Sequence, residues 1–165
     1  MKNISFNDLG LHSKILQAID NMGFEEPSQI QAESIPVILE GKDVIGQAQT
    51  GTGKTLAFGA PMLSKIEPRC KNISSIIVTP TRELAIQVND ELSRIAKFRK
   101  IALLPIYGGQ PIERQIKSLR RGVDVVVGTP GRILDHLHRR TLDLSGIEFL
   151  IIDEADEMLD MGFIE

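Results

Sequence analysis

The chain has 165 residues, a formal net charge of −3, 42% hydrophobic residues and 25% charged residues. That balance excludes an intrinsically disordered chain, a collagen-like repeat and a coiled coil, and the length suits a single domain, residues 1–165, with a core that needs no disulfide or structural metal. Cys70 is the only cysteine, which excludes an internal disulfide and a multi-cysteine zinc site and leaves it as a small hydrophobe. No apolar run approaches the ~18 residues of a membrane-spanning helix. The opening MKNISFNDLG lacks the apolar stretch of a signal peptide, so the expectation is a cytoplasmic protein without a membrane partner.

Taken in chain order, Leu11, Ile15, Ile19 and Met22 share one helical face, and Gly23 is placed to stop that helix. A second helix follows Pro27-Ser28. The short run 43–46 reads as a strand and 53–66 as the helix after it. Strand 75–78 is followed by helix 80–97, strand 101–107 by helix 111–121, and strand 123–127 by helix 130–139. Strand 147–152 leads into Asp153 and a last helical turn. The strands are almost uniformly apolar, as in Val125-Val126-Val127 and Phe149-Leu150-Ile151-Ile152. Such runs suit strands covered on both faces, so the expected fold is α/β: a doubly wound, mostly parallel sheet with helices on both faces.

Charge is unevenly spread. Between Arg94 and Arg140 eleven Lys/Arg stand against three acids, Glu113, Asp124 and Asp135. The segment suits either a polyanion or a set of solvated helix faces. A local echo bears on that choice: Thr79-Pro80-Thr81-Arg82 and Thr129-Pro130-Gly131-Arg132 each end an apolar strand as a helix begins. Proline suits the first helical position, and the following N–H groups with an arginine make an anion site at the carboxyl edge of a sheet. Two such sites on one edge favour a phosphodiester track over simple capping.

Ala48-Gln49-Thr50-Gly51-Thr52-Gly53-Lys54-Thr55 sits between a strand and a helix, the context of a phosphate-binding loop. Its glycines let backbone N–H groups close around phosphate oxygens. Lys54 reaches the β- and γ-phosphates of a nucleotide, and Thr55 offers a hydroxyl to Mg²⁺. Ala48 stands where glycine is usual. Further on, an apolar strand ends abruptly in Asp153-Glu154-Ala155-Asp156. Asp153 is placed to hold the second Mg²⁺ contact and Glu154 to orient or deprotonate the attacking water, although acids at a helix N-terminus also complement its dipole.

Together these strings resemble the first RecA-like domain of DEAD-box ATP-dependent RNA helicases over nearly the whole chain. The stretch from Gly23 to Gln31 resembles the Q motif (about residues 4–32, with Phe6 at the upstream aromatic position). Pro80 to Ala85 resembles motif Ia, Gly108-Gly109 the GG motif, and Thr129 to Arg132 motif Ib. The resemblance implies ATP and Mg²⁺ as cofactors, with Gln31 reading adenine, Phe6 stacking on it, and Ala48 to Thr55 holding phosphate. Ser28-x-x-Gln31 is also a capping box that closes a helix start without a ligand. The resemblance further implies that Pro80, Thr81, Arg82, Gly108, Gly109, Thr129, Pro130, Gly131 and Arg132 hold an RNA backbone. Asp156 would couple to a second RecA-like domain.

Backbone contacts place a strand without reading it, so the expected substrate is RNA of little sequence preference. The family's Ser-Ala-Thr motif and second RecA-like domain, with its arginine finger, have no counterpart in the sequence. The expectation is therefore the ATP-binding half of a helicase, monomeric and by itself inactive or very slow in ATP hydrolysis and unwinding. A nucleotide-dependent RNA clamp uses the same motifs. A P-loop ATPase acting on DNA or protein is a third reading, against which Gln31 and the Asp-Glu-Ala-Asp string weigh. The core spatial expectation is that the Lys54 turn and the 153–154 carboxylates grip one magnesium-bound triphosphate.

Overall fold

A computed structural model describes residues 3–68 and 72–163; Cys70 lies outside them. The residues gather into two compact units, one of Met1–Ile66 with Glu91–Lys100 and one of Glu67–Asp90 with Ile101–Glu165. Among the described residues no helix is long and apolar enough to cross a membrane.

The first unit holds a short 3-10 helix, Phe6–Asp8, and the helices α1 (Ser13–Asn21), α2 (Gln29–Leu39) and α3 (Lys54–Lys65). The stripe of α1 is buried as the spacing predicts, with Leu11, Ile15 and Ile19 inside. Gly23 adopts φ +81 just past the end of the helix, the left-handed turn that lets glycine stop it. α2 packs along α3, and Ile35, Leu56, Ala60, Met62, Leu63, Leu92 and Ile95 are all closed to solvent. The last turn of α3 is capped from outside. Arg99 Nη1 donates to the carbonyls of Leu63 (2.5 Å), Ser64 (3.2 Å) and Ile66 (3.1 Å), groups that a helix end leaves without partners of its own.

The run 43–46 is not a strand. Val44 is 40% exposed and Ile45 fully so, and among the described residues no strand pairs with them. An apolar run has no sheet preference of its own; without a neighbour's N–H and C=O groups it has no ladder to join.

The second unit is a parallel sheet of β1 (Ser75–Val78), β2 (Leu103–Ile106), β3 (Val125–Gly128) and β4 (Phe149–Ile152), in the order β2-β3-β1-β4. Its crossovers run through α4 (Arg82–Ile95), α5 (Ile112–Arg121) and α6 (Pro130–His138), and β4 leads into the short α7 (Ala155–Asp160). α4 belongs to this unit as far as Asp90. Ile76, Ile106 and Val126 on one sheet face pack with Leu119 of α5 and with Ile133 and Leu137 of α6. Ser75, Ile77, Val125 and Val127 on the other face are equally closed to solvent. A parallel α/β sheet buried on both sides at its centre is therefore what the uniform apolar runs encode. β4 is the exception: among the described residues it pairs only with β1, and Leu150 and Ile152 are 62% and 55% exposed.

The two Thr-Pro-x-Arg echoes differ by one position. At the second, Thr129 is the N-cap and Pro130 the first helical residue, as expected. At the first, Pro80 lies before the helix and α4 starts at Arg82. The reason is Thr81, whose Oγ1 accepts from Leu84 N–H at 3.2 Å and makes residue 81 the cap. Gly131, in the equivalent place, has no side chain to do this.

Replacing Arg99 with Met should lower stability by about 2 kcal/mol, because the three carbonyls lose a charged donor. In urea the unfolding midpoint should fall with the slope unchanged.

Candidate functional site

In the first unit the glycine-rich loop ends on Gly53, whose φ of +81 and ψ of 34 set the chain in the left-handed region immediately before Lys54 opens α3. Gly51 is also left-handed, at φ +83. The loop is folded on itself, with Thr52 Oγ1 donating to Gln49 O at 2.6 Å, and Gln49, Thr50 and Gly51 are exposed. Lys54 and Thr55 lie half-buried on the first helical turn, beside N–H groups that have no intrahelical acceptor. The left-handed glycine and the start of α3 together set this geometry.

α2 holds the loop from behind. Ser28 Oγ donates to Thr52 O at 2.8 Å, and Gln31 Nε2 donates to Gly53 O at 3.1 Å. The Gln31 Oε1 accepts from Ser28 N–H at 2.9 Å, completing the capping box, and Gln31 is 3% exposed. Each end of its carboxamide thus has one protein partner and one further hydrogen-bonding capacity. The capping reading of Ser28-x-x-Gln31 is what the geometry places. Phe6 is 5% exposed and belongs to the core of this unit.

In the second unit the carboxyl ends of the strands lie level, since Val78 pairs with both Gly128 and Ile152 and Ile106 pairs with Gly128. The chain that leaves them carries the basic echoes. Arg82 lies over the Tyr107 ring, 5.1 Å from its centroid, and a Cβ at Gly109 (φ +80) would come within 3.3 Å of Arg82 Nη1. Gln110 Nε2 donates to the Tyr107 hydroxyl at 2.9 Å. Arg132 Nη1 donates to Gln110 O at 3.1 Å and to Gln115 Oε1 at 3.2 Å. Arg82, Gly109 and Arg132 are therefore joined through Tyr107 and Gln110. Gly108, Gly109 and Gly131 are exposed, Thr81, Thr129 and Pro130 half-buried, and Pro80 buried.

Beneath Arg132 lies His136, which is wholly buried. Its Nε2 is 2.8 Å from Gln115 Oε1 and its Nδ1 2.8 Å from Thr141 Oγ1. Burial first, and then the Arg132 guanidinium, hold its pKa below the ordinary value, against an opposite pull from Asp135 that exceeds the further lowering by Arg139. The shift favours the neutral imidazole.

At the end of β4, Asp153 N–H donates to Val78 O at 2.9 Å and the Asp153 carboxylate accepts from Glu154 N–H at 3.1 Å. Glu154 is the N-cap of α7 with φ 52 and ψ 50, a left-handed conformation that costs a non-glycine residue about 1 kcal/mol or more. Asp156 is exposed in the first turn of α7.

Residues 28–165 match the family model of the DEAD/DEAH box helicases. The chain belongs to that family. It is 56% identical over 161 residues to a DEAD-box ATP-dependent RNA helicase CshA of Bacillus cereus, an alignment covering 98% of this chain and 31% of the relative. The CshA of Bacillus subtilis is likewise 56% identical over 162 residues, covering 98% of this chain and 33% of that protein. The crystal structure of a DEAD box protein from the hyperthermophile Methanococcus jannaschii superposes with a TM-score of 0.91 at 49% identity, covering 97% of this chain and 44% of that one. The chain thus spans about a third of the length of these curated relatives, and its α/β fold is that of the DEAD-box RecA-like domain.

Sequence reasoning missed Tyr107, Gln110, Gln115 and His136. The signal for two of them was present. Gln115 interrupts the apolar stripe Ile112–Leu119 of α5, and His136 sits between Ile133 and Leu137 on the apolar face of α6. A polar residue on a buried stripe needs a partner inside.

Gly53→Ala should be costly twice over, through its left-handed backbone and through overlap of the new Cβ with the Gln31 carboxamide. The loss should exceed the ~1 kcal/mol that backbone strain alone accounts for, and measured in a Gln31→Ala background the Gly53→Ala loss should shrink to about that figure. Thermal or urea unfolding of both variants measures this.

Proposed function

We propose that this chain is the ATP-binding, RNA-gripping part of an ATP-dependent RNA helicase, in which hydrolysis is coupled to local, sequence-independent duplex separation. The observation that carries this reading is the convergence of Arg82, the Gly108-Gly109 pair and Arg132 on the carboxyl edge of one sheet. Two guanidinium groups flank backbone stripped of side chains there, which suits phosphates and sugars rather than base edges. The phosphate loop in the other unit supplies the chemistry for a nucleotide. The RNA helicase names of the relatives support RNA as the polymer, and the activity is proposed for a protein of the relatives' length, with a second RecA-like domain as partner.

Within that reading Lys54 balances the β- and γ-phosphate charge, and the N–H groups of the loop and α3 bind their oxygens. Gln31 reads adenine with the capacity left on its carboxamide, and Phe6 supports the base. Thr55 in the first unit and Asp153 in the second each carry an oxygen suited to Mg²⁺, which when bound would neutralise charge on the phosphates. Glu154 orients or deprotonates the attacking water, and its strained backbone is the kind of outlier that concentrates at working sites. Asp156 faces solvent on α7, where it suits coupling to the second domain. A cytoplasmic location is part of the same proposal.

In the complete helicase proposed here, Lys54→Ala should weaken ATP binding at least about tenfold. Glu154→Gln should keep ATP affinity within about twofold while cutting RNA-stimulated turnover at least about 100-fold. Calorimetry and phosphate release measure the two. Normal hydrolysis by the glutamine variant would remove Glu154 from its role, and an ATPase stimulated by DNA but indifferent to RNA would overturn the RNA assignment.

Arg132→Ala should weaken binding of single-stranded RNA equally across sequences. It should also reduce the slope of log affinity against log salt by about 0.7, the share of one phosphate contact. Fluorescence anisotropy with homopolymers of different base, over a salt series, tests both.

A further inference from the structure

The network under Arg132 is more polar than packing requires. Gln115 is 4% exposed and His136 is closed to solvent, and each occupies a place on a helix stripe whose neighbours are Ile or Leu. An apolar residue at either place would avoid the cost of burying polar atoms. Their hydrogen bonds have a direction, and it leads to the surface. Gln115 Nε2 donates to Tyr107 O at 3.0 Å, which turns Oε1 the other way. That oxygen accepts from His136 Nε2 at 2.8 Å and from Arg132 Nη1 at 3.2 Å. Accepting from His136 requires a proton on Nε2, while Nδ1 lies 2.8 Å from Thr141 Oγ1, whose hydroxyl also reaches His136 O at 3.1 Å. The histidine sets the glutamine, and the glutamine meets the arginine.

The effect on Arg132 is specific. A guanidinium carries five N–H groups, two of them on Nη1. Gln110 O and Gln115 Oε1 take those two. The group is thereby fixed by one terminal nitrogen, and its Nε and Nη2 edge keeps three N–H groups in the fork arrangement that matches two phosphate oxygens. A surface arginine otherwise loses considerable side-chain freedom on taking up an anion.

We propose that Gln115 and His136 are positioning residues that hold the Arg132 guanidinium ready for a phosphate of the RNA backbone. This rests on the RNA reading above and assigns to two buried residues a share in RNA affinity that neither earns by touching RNA.

The test is a double-mutant cycle on the affinity of the chain for a fluorescein-labelled oligouridylate at one fixed salt concentration. Gln115→Leu should weaken binding about fivefold, and Arg132→Ala at least as much. The double variant should bind no more weakly than Arg132→Ala alone, because without the arginine there is nothing left to position. If the two losses multiply, Gln115 acts elsewhere and the positioning role is overturned while the RNA reading stands. If Arg132→Ala binds as the unaltered chain does, the RNA contact itself is wrong and both fall. Circular dichroism shows whether Gln115→Leu folds. Should it not, the pair His136→Phe and His136→Gln decides. Glutamine keeps a donor near the Nε2 position and should restore RNA affinity that phenylalanine loses. Equal affinities for these two overturn the proposal.

Discussion

Everything at the working end of the second unit depends on three backbone hydrogen bonds that continue the sheet one residue past its strands. Thr79 N–H donates to Gly128 O (2.9 Å), Thr129 N–H to Ile106 O (3.1 Å), and Asp153 N–H to Val78 O (2.9 Å). Parallel pairing brings every carboxyl end to one edge, and these bonds hold the departing chains level. Gly128 is what allows it: a Cβ there would stand 2.9 Å from both Ile106 O and an Ile133 side-chain carbon. Two arginines, a glycine pair and the acidic strand end thus issue from one edge without any special loop architecture.

The first unit reaches a comparable result by different means. Its loop is not anchored in a ladder but is held by side chains of α2, through the Ser28 hydroxyl and the Gln31 carboxamide. A glutamine that both caps its own helix and grips the glycine before Lys54 links the start of α2 to the start of α3. Any ligand drawing on the remaining capacity of Gln31 would meet a group already tied to the glycine-rich loop.

The sequence made the fold legible wherever local pattern and tertiary partner agreed. The uniform apolar runs of β1 and β3 encode burial on both faces, and the stripe Leu11-Ile15-Ile19 encodes α1. Legibility failed at residues 43–46, where the apolar run was clear but the neighbour that would make it a strand was not local information. It failed again at Pro80, because a rule about proline at helix starts lost to a threonine one residue on that caps better. At the candidate site, short motifs marked the residues that point outward, Arg82, Gly109 and Arg132. The buried supports Gln115 and His136 carry no motif, since their role is defined by partners 8 to 21 residues away in the chain. DEAD-box membership follows from the motifs, whereas the way Arg132 is held follows only from the fold.

The edge strand β4 has a consequence for the behaviour of this polypeptide in solution. Among the described residues no strand pairs with its outer side, and an edge that carries exposed side chains such as Leu150 and Ile152 is the kind on which a foreign strand can add. Glu148 stands immediately before that strand and Asp153 and Glu154 immediately after it. Stacking copies in register would bring like charges together at both ends, so the acids that flank the strand oppose self-assembly.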